Sequence, residues 1–241
     1  MDDAGQKSFD LAELSSPAPH HGAGHRSRLR DRLLQGGPDA LLDHELIEYL
    51  LALALRRGDT KPLAKELLTR FGGIGPLLNA DPESLASVNG MGDSTVAAIK
   101  IVEAATLRML RGQILDRPVL SNWQALTDYL RADMAHRLNE RVRVLHLDSK
   151  NQLIRDEKVS EGSISESAIY VREVIRRALD FGAAAIIVVH NHPSGDPSPS
   201  RQDIAITRDL AETAKRLDIS LHDHIIIART GFTSLRSQGL L

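Results

Sequence analysis

The stretch Ala184 to Val189, AAIIVV, reads as a strand buried on both faces, and it stops abruptly at His190-Asn191-His192. Such a strand needs layers packed against it, and its surroundings supply them. Upstream lie a helix at about Asn122–Ala135, an alternating strand RVRVLHLD (141–148), a turn at Ser149–Asn151, a strand at about Gln152–Val159 and a helix in AIYVREVIRRALDFG (168–182). Downstream, a loop runs to Ser200, a helix capped by Ser200 follows, and HIIIA (224–228) forms another strand. Alternating strands and helices indicate an α/β sheet beginning near residue 118.

The preceding half is helical. From Asp39 to Gly112 the apolar residues recur at helical spacing, as in Leu41, Leu42, Leu46, Ile47, Leu50 and Leu51. TKPLAKELLTRF takes Thr60 as N-cap and Pro62 in its first turn, and it ends at Gly72-Gly73. Two more helices meet at Gly90-Met91-Gly92, the first capped by Asp81 with Pro82 behind it. Residues 1–24 mix Pro, Gly, Ser and acidic side chains without an apolar period, as a disordered tail does. The division is therefore a tail over 1–24, a helical domain over 25–117 and an α/β domain over 118–241.

Composition excludes several chemistries. With no cysteine among 241 residues there can be no disulfide, thiolate zinc site or cysteine nucleophile, so a transition-metal site must use His and carboxylates. No apolar run approaches the ~20 residues of a membrane span. The acidic, polar start lacks the basic-then-apolar order of a secretory signal, so the expected location is cytoplasmic. A net charge of −2 offers no global attraction for nucleic acid.

His190 and His192, two apart at a strand end, point the same way, and Asp203 in the first turn of the next helix can close a His-His-Asp set. Three protein ligands plus water is the makeup of a catalytic zinc site. Pro193, Pro197 and Pro199 stiffen the intervening loop and Gly195 lets it turn. Ser200 is a helix N-cap, an oxyanion donor, or both.

The order His190-x-His192, seven residues, Ser200, two residues, Asp203 is similar to the signature of the JAMM (JAB1/MPN+) zinc metalloproteases, and HNHPSGDPSPSRQD resembles their bacterial RadC branch (UPF0758). The resemblance covers nearly all of the chain after residue 24. It implies a JAMM/MPN domain, a cytidine-deaminase-like mixed sheet flanked by helices, behind an all-α domain with a helix-hairpin-helix. It also implies one Zn2+ per chain, held by His190, His192 and Asp203, and a peptide or protein substrate. The matching general base is Glu140, just before RVRVLHLD, which takes a proton from the metal-activated water and returns it to the leaving amine, while Ser200 supports the oxyanion.

Competing groups have simpler readings. Glu157, Glu161 and Glu166 lie in a polar strand-end and loop region, and Glu173 is on a solvated helix face. His222 and His224 repeat the two-residue spacing near His146 and Asp223 but lack a downstream carboxylate and loop. They read as structural histidines, with His224 a candidate partner to a metal ligand. Asp196 either touches substrate or caps a turn.

SVNGMGDSTVAAI resembles a helix-hairpin-helix, whose glycine turn (Gly90, Gly92) would offer backbone N–H groups to a DNA phosphate. Against this, residues 21–118 carry 13 basic and 12 acidic side chains, little for phosphate neutralisation to work with. The cluster Arg26, Arg28, Arg30 and Arg32 is either a phosphate patch or a solvated helix face. Two functions follow: a zinc metallopeptidase, or a DNA-associated, repair-linked protein whose zinc site is structural.

Overall fold

The computed structural model describes residues 21–115, 118–162 and 169–241. Six helices come first: α1 (His21–Gly36), α2 (Asp43–Ala54), α3 (Lys61–Phe71), α4 (Ile74–Asn79), α5 (Pro82–Ala86) and α6 (Asp93–Gly112). Then follow α7 (Trp123–Met134), β1 (Glu140–Leu147), β2 (Leu153–Gly162), α8 (Val171–Asp180), β3 (Ala185–Asn191), α9 (Arg201–Lys215), β4 (Ser220–Ala228) and β5 (Gly231–Ser234).

The helical half closes around its own core of Ile47, Leu51, Leu67, Leu77, Leu85 and Ile99. Asp81 accepts the Ser84 N–H at 2.8 Å with Pro82 next in line, the expected start of α5. Thr60 takes the expected N-cap position of α3, but without a side-chain cap bond. Its hydroxyl donates to Glu48 O at 3.0 Å across the α2–α3 contact, while the Asp59 carboxylate accepts the Lys61 N–H. The tail boundary also shifts, because α1 begins at His21 and so takes in residues 21–24; residues 1–20 lie outside the described residues.

The five strands form one mixed sheet in the order β2-β1-β3-β4-β5, antiparallel except for the β3–β4 pair. Side-chain alternation gives the sheet two apolar faces. Leu145, Leu147, Ile187, Val189, Ile225 and Ile227 pack against Leu126, Leu130 and Met134 of α7. Val142, Val144, Ile186 and Val188 pack against Val174 and Ala178 of α8 and Leu210 and Ala214 of α9. Strand β3 is buried along its whole length, as AAIIVV demands, but it extends through Asn191, so His190 is a strand residue. Strand β4 begins four residues before HIIIA, and both α4 and β5 went unread in the sequence.

A polar seam joins the halves. Arg137, in the α7–β1 connection, donates to Asn79 O at the end of α4, to Glu103 of α6 and to Asp133 of α7. Asp133, only 3 % exposed, also pairs with Arg141 and Arg143 at the start of β1. A carboxylate buried this deeply is tolerable only with its cations present. Helices and sheet are therefore tied together where β1 begins.

Candidate metal centre

The triad stands at the end of the sheet where β3 finishes. His190 and His192 bring their Nε2 atoms to 2.9 Å of each other, and Asp203 Oδ1 lies 3.3 Å from His190 Nε2. The ligand atoms of the three residues all lie within 4.8 Å of one another. Two ring nitrogens and a carboxylate facing inward are electron-pair donors that need a cation between them. A proton satisfies one nitrogen; a divalent metal ion satisfies all three groups.

Hydrogen bonding fixes which nitrogen of each ring faces inward. His192 Nδ1 meets the carbonyl oxygen of Asp196 at 3.0 Å; a carbonyl only accepts, so Nδ1 carries the hydrogen and Nε2 keeps its lone pair. For His190 the chain of bonds is longer. Thr207 donates its hydroxyl proton to Asp203 O at 2.5 Å and therefore accepts from His224 Nδ1 at 2.5 Å. His224 Nε2 is left to accept from His190 Nδ1 at 2.8 Å, which turns the lone pair of His190 Nε2 toward the triad. Thr207 lies one helical turn after Asp203, so both face the sheet from α9. Outer partners of this kind hold ring orientation and raise ligand basicity.

Charge follows the same plan. Burial pushes His190 down to about 4, against the pull of Asp203, and His224 down to about 3, so both rings are neutral donors near neutral pH. His192 is raised by the Asp203 carboxylate beside it, and Asp203 stays well below the usual carboxylate range, held there against burial by His192 and His190. The pocket favours positive charge.

Asp203 is also the third residue of α9. Its Oδ2 accepts the Ser200 N–H at 2.7 Å, and Ser200 Oγ accepts the Asp203 N–H at 3.1 Å. This reciprocal cap leaves Oδ1 to His190, while His192 Nε2 stands 3.6 Å from Oδ2. Ser200 is the N-cap the sequence predicts, and an accepting hydroxyl keeps its proton to donate. The loop is clamped from the sheet as well: His192 N donates to Ile227 O, and the Thr230 hydroxyl donates to Gly195 O at 2.7 Å. Gly195 has φ +90°, and a Cβ there would stand 3.1 Å from the Arg229 guanidinium, so glycine answers both to conformation and to space.

Glu140 opens β1. Val142 lies opposite His190 in the antiparallel β1–β3 register, and Glu140 stands two residues further toward that end of β1, paired with Gly162 of β2. Its carboxyl is raised by burial and by Asp203, with His192 opposing, which places it in the field of the triad. The competing carboxylates turn elsewhere. Glu157 pairs with Arg177 beside His146, Glu161 with Arg141 and Lys158, and Glu173 with Arg176. Glu166 lies outside the described residues.

Asp196 caps a turn through Ser198 N and Oγ while its carbonyl holds His192. His222 bonds Asn151 Oδ1 at 2.6 Å, away from the triad, and Asp223 binds Ser234 and Arg236. Thr207 went unread, although a residue four after a helical ligand is the place to look for its support.

Several of the groups suggested for DNA make bonds within the helical domain. Gly90, at φ +89°, makes the turn before α6, and Gly92 N donates to Thr95 Oγ1 at 2.8 Å. Arg26 donates to the carbonyls of Leu55, Arg56 and Gly58 after α2, Arg32 clasps Glu45, and Arg30 pairs with Asp31. Among the described residues no helix is long and apolar enough to cross a membrane.

Comparison with known proteins agrees with this layout. Residues 120–240 match the family model for the RadC-like JAB domain, a span containing Glu140 and the whole triad, and residues 23–97 match that for the UPF0758 N-terminal region. A UPF0758 protein of Rhodobacter capsulatus is 50% identical over 213 residues, covering 88% of this chain and 100% of the relative. A helical region followed by a mixed-sheet JAB domain, matched across both parts, places this chain in the RadC/UPF0758 family of the JAMM/MPN superfamily.

Proposed function

We propose that the protein is a zinc-dependent hydrolase of peptide or isopeptide bonds, with His190, His192 and Asp203 as metal ligands and Glu140 as general base. The observation that carries this reading is the meeting of the triad with Glu140 at one end of the sheet: the donors converge within 4.8 Å, and the Glu140 carboxyl feels both His192 and Asp203. The donor set suits zinc, since two neutral imidazoles and one carboxylate leave a fourth position open. Zinc bound there supplies Lewis acidity to water and to the substrate carbonyl.

The chain's own residues do the rest. Glu140, with its affinity for a proton raised by burial, takes one from the attacking water and delivers it to the amine nitrogen as the C–N bond breaks. The bonds from His224 and from Asp196 O keep both ligand rings turned inward through that cycle. Ser200, with its oxygen accepting from the α9 backbone, donates its hydroxyl proton to the developing oxyanion.

The test is cleavage of a mixed library of peptides and isopeptide-linked peptides by zinc-loaded protein, read by mass spectrometry. Glu140→Gln is expected to keep its zinc and to cleave about 10²-fold or more slowly, the typical worth of a general base. A variant as fast as wild type removes Glu140 from the chemistry. Zinc-loaded wild type that cleaves nothing contradicts the hydrolase reading.

A further inference from the structure

Between the two histidines stands Asn191, 1 % exposed, and its side chain makes two bonds to the backbone where β1 begins. Oδ1 accepts the Arg141 N–H at 2.8 Å, and Nδ2 donates to Asn139 O at 3.2 Å. Those two groups belong to the residues immediately before and after Glu140. One amide therefore grips the chain on both sides of the base, at residues 50 and 52 positions away in sequence. Strand alternation sends this side chain to the opposite side from His190 and His192, so it reaches the neighbouring strand while they reach the triad.

We propose that Asn191 is a positioning residue, setting the distance between Glu140 and the metal ligands through this two-point hold. The proposal rests on the hydrolase reading above. The β1–β3 pairing runs only from Val142 opposite His190 inward, so at Glu140 the strand is laddered to Gly162 of β2, and the Asn191 amide ties that segment to β3. An amide is the right group, because the segment presents one donor and one acceptor. A carboxylate of the same size satisfies Arg141 N and repels Asn139 O; an apolar side chain satisfies neither.

The test uses the full chain with Asn191→Leu and Asn191→Asp, the latter serving where the leucine variant fails to fold. Zinc content and crystal structures are compared with wild type. Both variants are expected to keep zinc and an unchanged triad, with the Glu140 carboxylate displaced by about 1 Å or more. Displacements of that size cost about 10²-fold in rate, so kcat falls by that order in the leucine variant and less in the aspartate one, with KM unchanged. A Glu140 that stays in place in the variants overturns the proposal, and so does a kcat equal to wild type. Wild-type protein that binds no zinc or cleaves nothing contradicts the hydrolase reading instead, and the position of Glu140 still decides the role of Asn191.

Discussion

The molecule contains two His-x-His pairs on neighbouring parallel strands, and only one converges. At the end of β3, His190 and the residue just past the strand, His192, bring their Nε2 atoms to 2.9 Å; on β4, His222 and His224 part company. The reason lies in the ladder. Ile186 lies opposite Leu221 and Ile187 opposite Asp223, so β4 carries an extra residue at His222, and the alternation that would align the two rings is broken between them. His224 goes inward to serve His190, and His222 goes to Asn151. Spacing alone thus makes no metal site. It needs an unbroken strand end, a loop that clamps the second ring, and a helix whose first turn returns a carboxylate.

The largest effect should come from removing a ligand. His190→Ala or Asp203→Ala is expected to take zinc content, measured by plasma mass spectrometry, from about one per chain to near zero. His224→Leu should act at one remove, keeping the ligands while loosening the His190 ring. Zinc affinity by competition with a chelating dye is expected to fall about 10- to 100-fold. The same pair sets a pH dependence. His190 and His224 are held near 4 and 3 in the fold, below their ordinary 6.5, so the unfolded chain takes up protons first. Stability of zinc-free protein is then full above about 6.5 and lost as pH falls toward about 4, and His224→Leu should flatten that loss in urea titrations. The smallest effect belongs to His222→Ala: unchanged zinc affinity and a stability change of about 1 kcal/mol or less, for one half-buried hydrogen bond. Zinc loss in that variant would mean the two pairs are not divided as described.

Much of this division was legible in the sequence. AAIIVV announced the central strand, and the order of His190, His192, Ser200 and Asp203 announced which chemical groups meet, because capping and ligation both depend on local spacing. What could not be read depends on contacts between distant segments. The seat of Asn191 follows from the β1–β3 register, the Thr207–His224 relay from the packing of α9 on β4, and the bulge at His222 from pairing that no single strand encodes. Helix α4 escaped because its Gly75-Pro76 pair looks like a turn, although its six residues bury Leu77 and lead to the seam at Arg137. Thr60 kept its place as N-cap of α3, but its hydroxyl found a carbonyl on α2 in place of its own helix.

The most direct test of the central claim is the zinc environment itself, read by X-ray absorption together with an anomalous-difference map of zinc-soaked crystals. One zinc per chain is expected, bound through Nε2 of both His190 and His192 at about 2.0–2.1 Å and through an Asp203 oxygen at about 2.0–2.2 Å, with Glu140 facing the open position. Zinc bound through His222, or folded protein that takes up none at the triad, would contradict it.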